Sequence, residues 1–466
     1  MFKKISAIAL TTGLVLSTMS LPVMADKPDN PGKGNENSNG GKKVENIIYM
    51  IPDGFSSTYA ANYRVYKGEN AIWDEHLKGM YTTLSADADI TDSAAAGTAM
   101  ATGVKTNNGV VGLDPEGNEL TSILEAAEAD GKSSGLVATS RITHATPAAF
   151  VANVDSRNNE TEIARQFIES EVDVLLGGGQ DMFKLEEDNG KQTDRDLIEE
   201  ADEEGFTYTE DRDELLDLKE EIDVEDDERL IGLFAEAALA PELHRGDTEE
   251  PSIAEMTEAS IDILEEDKDG FFLMVEGSQI DWAGHANDAA WAMSDVEAFE
   301  KAVEVAMEFA EKDGNTLVVV GGDHDTGGMT TGSGASDGLN ADLLKEVTAT
   351  GEGIAAQLNE DRSNTKEVVE ENTKFTLTEE EVTAIQEAED AASAINKLIS
   401  DRAGIGWTST NHTGADIPLY VYGPQSDKFI GFHDNTDLPK LLAEVIKVEL
   451  DNTVEESDES DETEEE

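Results

Sequence analysis

The 466-residue chain contains no cysteine. Disulfides, thiolate metal sites and cysteine nucleophiles are therefore excluded. Basic residues are scarce. Lys and Arg number 33 against 102 Asp and Glu, for a net charge of −69. Such a charge opposes binding to nucleic acid and to anionic membranes. Long apolar runs are missing too. The one near the N-terminus is short for a membrane span. It follows Lys3 and Lys4 and ends in Val23-Met24-Ala25, so residues 1–25 read as a signal peptide. The mature chain is then expected to begin at Asp26 as a secreted protein, extracellular or periplasmic.

A carboxylate-saturated surface keeps halophilic proteins hydrated in concentrated salt, which screens their self-repulsion. Greater stability in molar salt than in dilute buffer is expected. Residues 26–43 are rich in Pro, Gly, Asn and Lys and read as a flexible leader; residues 451–466 form an acidic Ser/Asp/Glu tail.

Between these ends, apolar runs alternate with helical patterns. Asn46–Ile51, Ser134–Thr139, Val172–Leu176, Phe271–Val275 and Leu317–Val320 read as buried strands. Thr121–Asp130 and Ala286–Lys312 read as helices. The alternation predicts an α/β fold, a doubly wound, mostly parallel sheet flanked by helices. Two acidic stretches interrupt it, at about 184–230 and 339–402. Both read as helical insertions in a catalytic domain spanning 44–450.

Chemistry gathers at the strand exits. Asn46–Ile51 runs into Pro52-Asp53-Gly54. Phe271–Val275 runs into Glu276-Gly-Ser-Gln-Ile-Asp281-Trp282-Ala-Gly-His285. Leu317–Val320 runs into Gly-Gly-Asp323-His324-Asp325. Open α/β sheets bind ligands beyond the carboxyl ends of their strands. Mixed carboxylate and imidazole ligands suit Zn²⁺. In Thr91-Asp92-Ser93-Ala94-Ala95-Ala96-Gly97-Thr98-Ala99, Thr91 or Asp92 can cap a helix of small residues. Ser93 then lies near a helix N-terminus, where the dipole favours an alkoxide or a phosphate; as a lone motif it reads first as an ordinary capping serine.

Asp53-Gly54, Asp92-Ser93-Ala94, Glu276…Asp281…His285, Asp323-His324 and Asn411-His412-Thr413-Gly414 occur in one order over about residues 44–435. In this the chain resembles the alkaline phosphatases. The resemblance implies two Zn²⁺, one Mg²⁺ and a phosphoserine intermediate. It makes Ser93 the nucleophile. It assigns Asp53, Asp323 and His324 to one zinc, and Asp281, His285 and His412 to the other. Asp53, Thr146 and Glu276 take the third ion. Arg157 grips phosphate and Asp92 steadies Arg157. His144 and Trp282 fall where some relatives have Asp and Lys; the first lies beside the third ion and the second over the phosphate.

Phosphate monoesters are among the slowest substrates to hydrolyse unaided, needing up to ~10²¹-fold acceleration. Paired metal ions and a planar guanidinium answer that demand. Small phosphate monoesters and inorganic phosphate are the expected partners, and a homodimer stays open. Two other readings are a phosphodiesterase or sulfatase of related design, and a non-enzymatic acidic binder of cations or phosphate. A sulfatase needs Pro and Arg after its nucleophile, and Ser93-Ala94-Ala95-Ala96-Gly97 has neither. A diesterase commonly uses threonine and lacks the third metal site.

Overall fold

The computed structural model describes residues 43–219, 221–333 and 339–452. The expected signal peptide, residues 26–42 of the leader and residues 453–466 of the acidic tail lie outside the described residues.

Ten strands form one sheet. In chain order the first eight are β1 (Asn46–Ile51), β2 (Leu77–Thr82), β3 (Ser133–Arg141), β4 (Val174–Gly178), β5 (Phe206–Thr209), β6 (Arg229–Leu233), β7 (Phe271–Glu276) and β8 (Thr316–Val320). Four two-residue strands follow: β9 (Asp325–Thr326), β10 (Thr330–Thr331), β11 (Ile405–Gly406) and β12 (His412–Thr413). β13 (Ile417–Tyr422) and β14 (Gly431–Asp434) complete the large sheet. Its spatial order is β14-β2-β13-β8-β1-β7-β3-β4-β6-β5. Every strand runs the same way except β13, which is antiparallel to both β8 and β2.

β1 shows why the sheet is central. All six of its residues are buried. Ile48 and Met50 join the core on one face, and Ile47, Tyr49 and Ile51 the core on the other. Alternating side chains point to opposite faces of a strand, so a strand covered on both sides must be apolar throughout. The helices Ile253–Leu264 and Ala289–Asp313 contribute to the first core; Ser93–Thr102, Ile123–Ala129 and Asp437–Ile446 contribute to the second.

Two expectations need adjusting. The helix predicted to start at Ala286 starts at Ala289, because the Asp288 carboxylate accepts from the backbone N–H groups of Ala290 and Trp291, each at 3.1 Å. An N-cap of this kind fixes the first turn. The acidic stretch 184–230 does more than decorate. It carries the edge strand β5 and the first residues of β6, as well as the short helices Leu197–Glu203 and Arg212–Leu218. β5, Phe-Thr-Tyr-Thr, is too short and polar for periodicity to reveal it. The 339–402 stretch is mainly helical, with helices Gly351–Ala355, Thr365–Thr373, Glu379–Glu387 and Ala391–Ala403, the last ending just beyond it. It is tied to the loop after His285: Asn396 Nδ2 donates to the Ala286 carbonyl at 2.9 Å, and the Gly351 N–H to Asp288 Oδ2 at 2.8 Å.

Candidate active site

The exits of β1, β7, β8 and β3 lie side by side because those strands are parallel neighbours, in the order β8-β1-β7-β3. They deliver Asp53, Glu276, Asp323 with His324, and Thr146 with His144, to one edge. The reversal of β13 brings the residues before it, including His412, to that same edge. A short antiparallel ladder then docks that segment, with His412 opposite Thr326 and Thr413 opposite Asp325. Thr413 Oγ1 donates to Asp325 Oδ2 at 2.6 Å. The His324 and His412 rings stack with centroids 3.6 Å apart.

Asp281 and His285 sit on the helix Gln279–His285, four residues apart. That spacing puts both on one face. Gly54 makes room for them. Its φ is +75°, and a Cβ there would lie 2.8 Å from the Asp281 Cα and 2.9 Å from Thr326 Oγ1. Only glycine fits such a place without strain. The Gly54 N–H donates to Asp323 Oδ1 at 3.1 Å.

Three groups of side chains converge closely enough to hold a metal ion each: Asp281, His285 and His412; Asp53, Asp323 and His324; and Asp53, His144 and Glu276. Within each group the ligand atoms lie within 4.8 Å of one another. His324 Nε2 is 3.1 Å from Asp323 Oδ2 and 3.6 Å from Asp53 Oδ1. His285 Nε2 is 3.4 Å from Asp281 Oδ2, and His412 Nε2 is 3.5 Å from Asp281 Oδ1.

The outer nitrogens fix these rings. His285 Nδ1 is 2.7 Å from the Thr410 carbonyl, and His412 Nδ1 is 2.9 Å from the Thr91 carbonyl. Thr326 Oγ1 donates to Asp281, so it receives the proton of His324 Nδ1 at 3.3 Å. In the neutral rings all three Nε2 lone pairs therefore face inward. The Nε2 atoms of His285 and His412 are only 3.1 Å apart. Histidine ligands are usually held in this way by an outer acceptor on the other nitrogen.

A cation fits these residues on independent grounds. Asp53 Oδ1 and Oδ2, Asp323 Oδ2, Glu276 Oε1, His144 Nδ1 and Thr146 Oγ1 are all buried without a hydrogen-bond partner. Uncompensated buried polar groups cost on the order of 1–3 kcal/mol each, and more for charged groups. Burial and the neighbouring Asp323 carboxylate push the Asp53 carboxyl well above the usual range. Burial pushes Asp323 up to about 7. Burial also pushes Asp281 upward, but its three histidine neighbours, His285 foremost, outweigh it and hold the carboxyl low. Metal ions would relieve the repulsion that these carboxylates otherwise impose on one another.

Ser93 opens the helix Ser93–Thr102 and is buried, its Oγ 3.2 Å from His324 Nε2. The preceding Asp92 links the helix to Arg157. Its Oδ1 accepts from the Ala95 N–H at 3.0 Å; its Oδ2 accepts from the Gly109 N–H and from Arg157 Nη1, each at 3.0 Å. Arg157 Nη2 donates to His144 Nε2 at 2.9 Å. Trp282 stands edge-on to His144, ring centroids 6.0 Å apart. All the residues singled out in the sequence thus gather at one place. The anchors of the histidines were missed. Two are backbone carbonyls, which carry no residue signature. The third, Thr326, lies two residues beyond His324 and becomes legible only once the site is drawn.

The family model described as alkaline phosphatase matches residues 44–448, and the chain belongs to that family. It is an enzyme, a phosphoric monoester hydrolase. Alkaline phosphatase 4 of Bacillus subtilis is 40% identical over 427 residues, covering 87% of this chain and 89% of that protein. The solved cold-active alkaline phosphatase of a psychrophilic Shewanella superposes with a TM-score of 0.77 at 32% identity, covering 86% of this chain and 99% of that one. A solved mutant of the TAB5 alkaline phosphatase, with Mg bound in its M3 site, superposes with a TM-score of 0.67 at 28% identity over 88% of this chain and 99% of that one.

Proposed function

We propose that the chain is a secreted, metal-dependent phosphomonoesterase that works through a phosphoserine intermediate on Ser93. The observation that carries this reading is the placement of Ser93 Oγ at a helix N-terminus, 3.2 Å from His324 Nε2 and beside two groups of metal-type ligands. Asp53, Asp323 and His324 would hold one Zn²⁺, and Asp281, His285 and His412 the other. Asp53, Thr146 and Glu276 would hold Mg²⁺, with His144 behind them. Bound ions there would supply Lewis-acid stabilisation of charge on the attacking and leaving oxygens.

The residues themselves divide the rest of the work. Arg157 presents its remaining N–H groups to two phosphate oxygens, a match that its planar fork makes well. Asp92 holds that fork in place while capping the helix that aims Ser93. The Ser93 oxygen, its proton lost, forms a bond to phosphorus as the alcohol departs. Water then attacks phosphorus from the vacated side, phosphate leaves, and Ser93 regains its proton. Two in-line displacements retain configuration at phosphorus. Trp282 supplies an apolar wall and no charge, so phosphate would be held by one cationic side chain fewer than where lysine stands.

Protein loaded with Zn²⁺ and Mg²⁺ should hydrolyse p-nitrophenyl phosphate near pH 10 far faster than bis(p-nitrophenyl) phosphate. Chelation should abolish the activity and added metal restore it. Equal or faster diester cleavage would turn the reading towards a phosphodiesterase. Unchanged phosphate binding after chelation, without turnover, would favour a simple binding protein.

Export and salt adaptation belong to the same proposal. The residues 1–25 pattern supports the first, and N-terminal sequencing of protein recovered outside the cytoplasm should read from Asp26. A chain retaining Met1 there would oppose it. The net charge of −69 supports the second. The melting temperature should rise steadily from 0.1 M to molar NaCl, at about neutral pH, as self-repulsion is screened. A falling melting temperature would defeat the idea.

A further inference from the structure

We propose that His144 senses which cation occupies the Asp53/Glu276 pocket and passes the result to Arg157 through the position of its ring proton. The inference rests on the phosphatase reading above and adds a coupling within that site.

Guanidinium groups only donate hydrogen bonds. Arg157 Nη2 lies 2.9 Å from His144 Nε2, so that nitrogen presents its lone pair to the arginine. A neutral imidazole has one N–H, which must then sit on Nδ1. Nδ1 is buried without a partner and lies 3.6 Å from Glu276 Oε1, itself partnerless. In this posture the ring turns an N–H, not a lone pair, towards the cation pocket. Trp282 stands edge-on to the ring, centroids 6.0 Å apart.

Two cations read this differently. Mg²⁺ prefers oxygen and would use Asp53, Thr146 and Glu276, leaving the His144 proton on Nδ1 and Arg157 in its present place. Zn²⁺ accepts imidazole readily. Ligation through Nδ1 requires the lone pair there, which moves the proton to Nε2. Two N–H donors would then face each other across 2.9 Å, and Arg157 must give up that contact. It would keep only Asp92, 3.0 Å from Nη1. What changes is which ring nitrogen carries the proton. His144 is thus a positioning residue for the phosphate-binding arginine.

The test uses full-length protein carrying ¹⁵N-histidine, chelated, loaded with two equivalents of Zn²⁺, then given either Mg²⁺ or more Zn²⁺. His144→Gln identifies the His144 signals, and its amide oxygen can accept from Arg157 but has no ring proton to move. Two-bond ¹H–¹⁵N spectra should show His144 protonated at Nδ1 with Mg²⁺ and at Nε2 with excess Zn²⁺. Calorimetry with inorganic phosphate should show binding weakened about ten-fold by the extra Zn²⁺, the scale of one charge-assisted hydrogen bond. In His144→Gln the phosphate Kd should not respond to the choice of ion. The same tautomer under both loadings, with phosphate binding normally, would overturn the proposal alone. So would an equal Zn²⁺ effect in His144→Gln. No phosphate binding under either loading would overturn the phosphatase reading, and the proposal with it.

Discussion

Ser93→Ala should lower kcat for p-nitrophenyl phosphate by on the order of 10³-fold or more, since the group proposed to bond to phosphorus is removed. The fold should not notice. The Asp92 cap accepts from the Ala95 N–H, not from Ser93, and alanine is the best helix former. Among the described residues, the lost hydroxyl's hydrogen-bond partner is His324. The melting temperature should therefore stay within about 2 °C of the parent, as expected for a loss well under 1 kcal/mol. Metal content and phosphate binding should persist, because neither Arg157 nor any ligand is changed. Acid-quenched parent should carry a phosphoryl group on Ser93, and the variant none. Turnover close to that of the parent would sink the phosphoserine mechanism.

Asp53→Asn should have an effect of similar size by another route. Asp53 belongs to two of the three ligand groups, so its loss weakens both. Loss of several kcal/mol of charge stabilisation corresponds to about 10³-fold in rate or more. Elemental analysis should show fewer bound ions per chain. The stability effect should reverse sign with metal. In chelated protein, Asp53 faces the charges of Asp323, Asp281 and Glu276 inside a buried pocket. A neutral amide of the same shape relieves that repulsion, so chelated Asp53→Asn should melt about 2 °C or more above the chelated parent.

The pH dependence follows from Asp323. Its folded carboxyl is pushed from 3.8 up to about 7, chiefly by burial. Folded, metal-free protein therefore holds a proton that the unfolded chain has released. Its contribution to stability is present below about pH 4 and is lost as pH climbs towards 7. Chelated parent should lose urea resistance across that window more steeply than chelated Asp53→Asn. Parallel pH profiles would show that the carboxylate cluster is not the source.

Much of this site was legible before any coordinates. Apolar runs ending in Asp53, Glu276 and Asp323 mark parallel strands because only strands buried on both faces are apolar throughout. Topology then does the rest, since parallel neighbours share an exit edge. His412 was different. Residue pattern tied it to the site by resemblance, but its route depends on β13 running backwards, and strand direction leaves no trace in a six-residue run. The polar stretch at 184–230 hid β5 for a related reason: a four-residue edge strand, Phe-Thr-Tyr-Thr, need not be apolar. Contacts made by main-chain carbonyls, such as those of Thr91 and Thr410 to the histidines, belong to no residue type. The third use of Asp92, as anchor of the loop through the Gly109 N–H, also needed geometry; its cap and its contact with Arg157 were expected.

The central strand has a consequence for how the molecule comes into being. β1 leaves the ribosome early, yet Ile47 pairs with Phe272 on one side and Leu317 on the other. It must wait more than two hundred residues for either neighbour. The wait is longer for His412, which β13 brings back to the residues after β1. Formation of such distant pairings is intrinsically slow. A growing chain therefore passes about half of its synthesis with this buried strand unpaired and the site residues scattered. Assembly of the candidate ligand groups becomes a late event in the life of each molecule, and a chain that stops before residue 412 lacks one member of them.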